Sequence, residues 1–270
     1  MKPSFYAPHP ALANYISHIM VVEIRSDIMS NNFSPFPPTP QHAIHFYPRD
    51  AVKTYTTEND VAISPDSIIV GPQVTKVNIA MGMHHIIVSV AFQPGGLFRL
   101  LGIPMYEFYD QAYDATLVLG KDMREVNERL REAVTHIEMK NIVQQYFMRK
   151  IRISALLPWE HAMKAQLNGP LSIETAASLS CLSLRQFERR SKEVMGYSPK
   201  VFSRLIRFSK AYRLKENSPS TNWTAIAHAC GYFDQMHLIR DFKEFAGVTP
   251  GLITRQLQQA PHRLQGNLKI

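Results

Sequence analysis

Two stretches near the C-terminus follow one plan, and that repetition constrains the chain more than any other feature. Ser172 to Gly196 and Asn222 to Gly247 each read as a short helix, a turn ending in a capping residue, and a second helix with polar residues along one face. Arg189 and Arg240 hold equivalent places in the two second helices, 51 residues apart. Two linked units of this kind suit successive turns of a duplex major groove.

The local chemistry of each unit supports the reading. Ser172 is placed to cap a helix that buries Ile173, Ala176, Ala177 and Leu179. Ser183 with Gln186 three residues on has the spacing of a capping box. The helix that follows turns Leu184, Phe187 and Val194 inward and Arg185, Gln186, Glu188, Arg189 and Lys192 outward. Gly196 ends it, and Ser198-Pro199 starts a long helix, because proline suits the first turn. That helix, with Phe202, Leu205, Ile206 and Tyr212 on its apolar side, reads as a rigid spacer stopped at Asn217 to Pro219. In the second unit Trp223, Ile226 and Ala227 pack inward, and Gly231 closes the first helix. Asp234 caps the next, which buries Leu238 and Phe242 and presents Gln235, Met236, His237 and Arg240.

Charge divides the chain at the same place. Residues 1–163 carry 14 basic and 15 acidic side chains, whereas residues 164–270 carry 16 and 7, so the whole net charge of +8 resides in the back of the chain. A near-neutral front and a basic back point to two tasks, with a polyanion as partner of the second. The two cysteines, Cys181 and Cys230, form neither a disulfide framework nor a zinc motif, and read as small buried hydrophobes. No apolar signal core follows Met1, and no run approaches the roughly 20 apolar residues of a membrane span, so a cytoplasmic protein is expected.

The front reads as strands. Tyr15 to Ile24, His42 to Tyr47, Ser67 to Val70 and Ile86 to Phe92 are β-branched or alternating runs bounded by Pro and Gly. In the second of these, Ala43, His45 and Tyr47 face opposite to Ile44 and Phe46. Asn31 to Pro40, with four prolines, reads as a loop. A short helix at Leu97 to Leu101 ends at Gly102, Met123 to Ala133 has Val126, Leu130 and Val134 at helical spacing, and Ile142 to Leu156 continues in a helical manner. The expected fold is α+β, with a mostly β sandwich and following helices, then an all-α double helix-turn-helix domain. The expected boundaries are 1–120, a linking or dimerising segment at 121–162, and 163–258, the preceding helix being broken at Asn168-Gly169-Pro170.

Residues 171–255 resemble the DNA-binding domain of the AraC/XylS family of bacterial transcription regulators. The resemblance rests on Gly231-Tyr232-Phe233-Asp234-Gln235, Arg240, Phe242-Lys243, Gly247 and Thr249-Pro250. The first unit matches through Ile173, Ala176-Ala177, Leu184, Arg189, Gly196, Ser198-Pro199 and Arg207. The front resembles the sensor-side domain of one subgroup through Gly71-Pro72-Gln73 and through Phe92-Gln93-Pro94-Gly95-Gly96 to Leu101-Gly102-Ile103-Pro104, which implies a cupin-like fold. Three positions depart from the pattern. Ser191 stands where the family has Phe, which implies a first unit that Ser191→Phe would stabilise. Met236 replaces a small polar residue, and His45 replaces an acidic one.

The positions assign Arg185, Glu188 and Arg189, then Gln235, His237 and Arg240, to base edges, with Met236 against a thymine methyl. Lys192, Arg204 and Lys243 are assigned to phosphates. His45 and Tyr47 are assigned to an effector pocket in the front domain. His42, His45, His84 and His85 invite a metal reading but have no matching Glu at a fixed spacing, so no metal or other cofactor is expected. The expected partners are double-stranded promoter DNA, RNA polymerase, a small-molecule effector and a second copy of the chain, with no membrane and no enzymatic activity. Activation is the family tendency. Three rival functions are a cupin-type metal enzyme fused to a DNA-binding domain, an alkylation-repair protein, and a ligand-independent dimeric regulator. The second needs an acceptor cysteine, and none precedes Cys181.

Overall fold

A computed structural model describes residues 3–25, 33–57, 60–151, 157–168 and 171–259. The front half is built on ten antiparallel strands in two sheets. One holds β1 (Ser4–Tyr6), β2 (Ile16–Arg25), β4 (Ala43–Phe46), β7 (Ser67–Val70), β9 (His84–Phe92) and β10 (Ala112–Asp114), in the order β1-β2-β9-β4-β7-β10. The other holds β3 (Phe33–Phe36), β5 (Lys53–Thr57), β6 (Asp60–Ile63) and β8 (Val77–Ala80), in the order β3-β8-β5-β6.

The six-stranded sheet is covered on both faces, and β9 shows it. Every residue from His85 to Phe92 is buried, a continuous run rather than an alternation. One face meets the four-stranded sheet, with Met20, Val22, Ile68, Val70 and Ile87 opposite Phe36 and Ile79. The other face, with Ile19, Ile44, Phe46, Val88 and Val90, packs on helices. Those helices are α1 (Gly96–Leu101), α2 (Ala115–Leu119), α3 (Lys121–Glu132) and α4 (His136–Lys150). Met123, Val126, Leu130, Met139, Val143 and Phe147 supply the seam. Residues 121–150 therefore share the core of the sandwich.

The back half is all helical: α5 (Pro158–Asn168), α6 (Ile173–Leu179), α7 (Leu184–Met195), α8 (Pro199–Asn217), α9 (Trp223–Ala229), α10 (Gln235–Ala246) and α11 (Pro250–Gln259). One apolar cluster runs through all of it, from Trp159 and Phe187 through Phe202, Leu205 and Phe208 to Phe242, Phe245 and Ile253. The two units thus share a single core around α8. The α+β class and the two-sheet sandwich followed by helices are as expected from the sequence.

Several local expectations are corrected. Phe33–Phe36, inside the expected loop, is a strand paired with β8. It is an edge strand, where a proline such as Pro35 is tolerated because one side of the ladder is unused. Leu179 and Leu184 are 57% and 48% exposed, not inward, because they stand where α6 ends and α7 begins. Val134 is 84% exposed, since α3 has ended at Glu132. Cys181 is exposed in the tight turn of the first unit at φ 54°, whereas Cys230 is buried and its thiol is pushed up to about 11 by burial. The break at 168–170 and the 152–156 end of the middle helical segment fall on or next to residues outside the described ones.

Candidate nucleic-acid interface and the sandwich cavity

The second helices of the two units, α7 and α10, begin at well-made caps. Ser183 Oγ accepts from Gln186 N, and Gln186 Oε1 accepts from Ser183 N at 3.0 Å, so the expected capping box is present at the start of α7. At α10 the Asp234 carboxylate accepts from His237 N and lies 2.8 Å from the His237 ring nitrogen Nδ1. These bonds hold the Asp234 carboxyl below its ordinary range. Gly196 and Gly247 end the two helices at φ 73° and 69°, the left-handed geometry glycine adopts without strain.

Between these caps each helix buries one face. Phe187 and Val194 of α7, and Leu238, Phe242 and Phe245 of α10, lie in the shared core. The opposite faces present Arg185, Glu188, Arg189 and Lys192 on α7, and Gln235, Met236, His237, Arg240 and Lys243 on α10, all exposed. Among the described residues no ion pair engages Arg185, Arg189, Lys192, Arg240 or Lys243, and Glu188 is not joined to Lys192. These cations face solvent unneutralised, which is what a phosphate-bearing partner requires.

Arg204 is a correction. Expected at a phosphate, it instead bridges α8 to α10 through Asp241 at 2.7 Å and Glu244. Asp241 is 4% exposed, and that guanidinium is the cation beside it. Arg204 braces α10 against α8. Phe233, part of the closing motif but given no role by the sequence, is 94% exposed beside the cap of α10, with its ring 6.3 Å from that of His237. Its signal was an aromatic placed between a turn glycine and a helix cap.

Ser191 is also corrected. It is buried, and its hydroxyl donates to Tyr197 O at 2.8 Å. The site is a hydrogen-bonded seat for the turn after α7, not a gap awaiting Phe.

That turn is where the two halves of the chain meet. Tyr197 is buried, and its phenol donates to Gln73 O at 2.9 Å. His42 Nε2 donates to Met195 O at 3.1 Å, and burial holds its imidazole down to about 4. A Cβ on Gly196 would lie 2.2 Å from Pro72 Cγ, and one on Gly95 would lie 2.7 Å from the Trp159 ring. Arg99 of α1 pairs with the buried Glu160 of α5 at 3.2 Å. The two glycine-proline motifs of the front thus form its docking edge against the first unit.

A cavity of about 360 Å³ lies between the two sheets. β4 delivers its residues as the alternation requires: Ala43, His45 and Tyr47 line the cavity, while Ile44 and Phe46 enter the helix-covered core. Ser89, Gln41 and Gln73, missed in the sequence, line it too. The other histidines go elsewhere: His84 Nε2 to Glu23 at 2.9 Å, and His85 Nδ1 to Asp50 O at 3.0 Å. Among the described residues no three His, Cys, Asp or Glu side chains converge as metal ligands. Nor is any described helix long and apolar enough to cross a membrane.

Residues 4–114 match the model of a domain of unknown function. Among curated proteins none matches the chain. Among solved structures, apo ToxT from Vibrio cholerae is 12% identical, with 88% of this chain and 97% of that one covered, at a TM-score of 0.49. Wild-type ToxT bound to an unsaturated fatty acid is 11% identical, covering 91% and 97%, at 0.47. An AraC-type regulator from Chromobacterium violaceum is 27% identical, over 39% of this chain and 92% of that one, at 0.34. Residues 176–256, which hold α7 and α10, match the model of a helix-turn-helix domain. The chain thus carries a C-terminal helix-turn-helix domain of the AraC type.

Proposed function

We propose that the chain is a sequence-specific activator of transcription whose DNA binding is modulated by a small molecule held in the sandwich cavity. The observation that carries the reading is the pair of capped helices with exposed, unpaired cations on one shared core. Helices of this kind enter the major groove and present three or four side chains to base edges. Arg189 and Arg240 read guanine through paired hydrogen bonds, and Arg185, Glu188, Gln235, Met236 and His237 complete the two readouts. Lys192 and Lys243 hold phosphates.

The effector acts through the docking edge, because Gln73 both lines the cavity and accepts the Tyr197 hydrogen bond. RNA polymerase and a second copy of the chain are the remaining partners in this reading, the setting is the cytoplasm, and the chain carries out no catalysis. Genome-wide binding of the tagged protein in its host, beside an Arg189→Ala/Arg240→Ala double variant, tests it. Discrete peaks lost in the variant are expected. Peaks that survive both substitutions would remove DNA reading from these helices.

A further inference from the structure

We propose that the sandwich cavity takes an uncharged, largely apolar small molecule that hydrogen-bonds His45, rather than a carboxylate or an amine. This deepens the effector reading above and rests on it.

The lining decides the class. The wall is mostly apolar, with Met20, Phe36, Ile68, Val70, Ile79 and Ile87 among its residues, and the described lining contains no Lys or Arg. A carboxylate moved from water into such a wall loses its hydration and meets no cation, a cost that buried charges escape only by pairing. One lining residue, Asp110, carries a formal charge, and its oxygens are already engaged. Oδ1 accepts from Val74 N and Thr75 N, each at 2.9 Å, and Oδ2 accepts from Thr75 Oγ1 at 2.6 Å. It organises the loop and leaves little for an ammonium group.

His45 supplies the polar handle. It stands on the cavity face of β4, and among the described residues neither ring nitrogen has a hydrogen-bond partner. Nδ1 is shut off from solvent. Burial holds the imidazole down to about 4, so at neutral pH it offers one N–H and one lone pair and no charge. Such a group in an apolar wall recognises a hydroxyl, carbonyl or amide. The volume, about 360 Å³, lies at the small end of ligand pockets, which run from about 300 to 1,000 Å³.

The test uses three probes of one chain length, octan-1-ol, octanoate and octylamine, titrated calorimetrically into the full chain at neutral pH. Octan-1-ol is expected to bind at least about tenfold more tightly than either charged probe. His45→Leu should weaken it by roughly threefold to tenfold, the range of one lost buried hydrogen bond. Octanoate or octylamine binding as tightly as the alcohol would overturn the uncharged class while leaving the cavity as the effector site. Binding by none of the three would overturn the class as well. If, in addition, a cavity-filling Ala91→Phe chain with unchanged circular dichroism drove the same promoters as the wild type, the effector reading would fall with it.

Discussion

Tyr197 and Gln73 are joined by a 2.9 Å hydrogen bond from phenol to backbone carbonyl, so the turn after α7 is tied to the wall of the cavity. The Tyr197 ring also stacks on Phe202, at 6.4 Å between centroids, and meets Tyr109 edge-on. Removing the hydroxyl alone, in Tyr197→Phe, should loosen docking by about 1 kcal/mol, the usual value of one hydrogen bond. Hydrogen exchange is the readout. Amides at residues 72–76 and 195–198 should exchange faster, with those of α8 unchanged. Uniform protection in both chains would show that the bond carries no docking energy.

Ser191→Phe should destabilise the chain, the opposite of what the family pattern implies. The serine is 1% exposed and its hydroxyl holds the Tyr197 carbonyl, so a phenyl ring displaces that carbonyl and overfills the site. Overpacking costs about 1–3 kcal/mol and an orphaned carbonyl adds to it. Ser191→Ala should cost only about 1 kcal/mol. Thermal melts of the three chains give the order wild type, Ala, Phe, and a Phe variant melting above wild type would contradict it.

Three arginine substitutions should separate bracing from reading. Arg204→Ala leaves Asp241 buried without its cation and should cost about 2–3 kcal/mol of stability. Arg189→Ala and Arg240→Ala should leave the melting temperature within about 1 °C, because both side chains are exposed and unpaired. They should instead relax base preference at one or two positions, by about 1–3 kcal/mol of discrimination each. Lys243→Ala should weaken all sequences alike and lower the salt dependence by about one counterion. A binding selection over a salt series distinguishes the patterns.

Acid should undock the halves. The folded-state pKa of His42 is about 4, below its ordinary 6.5, because burial disfavours the charged ring. The unfolded chain therefore binds a proton that the folded chain refuses between pH 6.5 and 4. The His42 contribution is fully present above about 6.5 and declines as pH falls toward 4, by up to about 3 kcal/mol in total. His42→Asn should flatten the fall in melting temperature over that window. An identical slope in both chains would assign the acid sensitivity elsewhere.

The helical back was legible because its signals are local. Ser183 with Gln186, Ser198 before Pro199, Asp234, Gly196 and Gly247 each set a helix end within three residues of themselves, and each does so in the folded chain. The alternation of β4 was legible for the same reason, and it placed His45 and Tyr47 in the cavity. Contacts between distant residues were not. Nothing near Arg204 in sequence announces Asp241 and Glu244, and nothing near Ser191 announces the Tyr197 carbonyl it serves. β3 was hidden because its prolines argue for a loop wherever a strand's position at the sheet edge is unknown. The sequence offered His42 no partner, and its partner is a carbonyl 153 residues away.

The single core that unites the two units gives the bound chain a direction. In the proposed readout α7 offers Arg185, Glu188 and Arg189 while α10 offers Gln235, Met236, His237 and Arg240, so two half-sites of different sequence are expected. Because α8 and its aromatic cluster fix one unit to the other, the pair cannot be read in reverse order. A target of this kind is an arrow rather than a palindrome. Turning it around on the chromosome carries the sandwich domain to the other side, and with it any surface that must meet the transcription machinery.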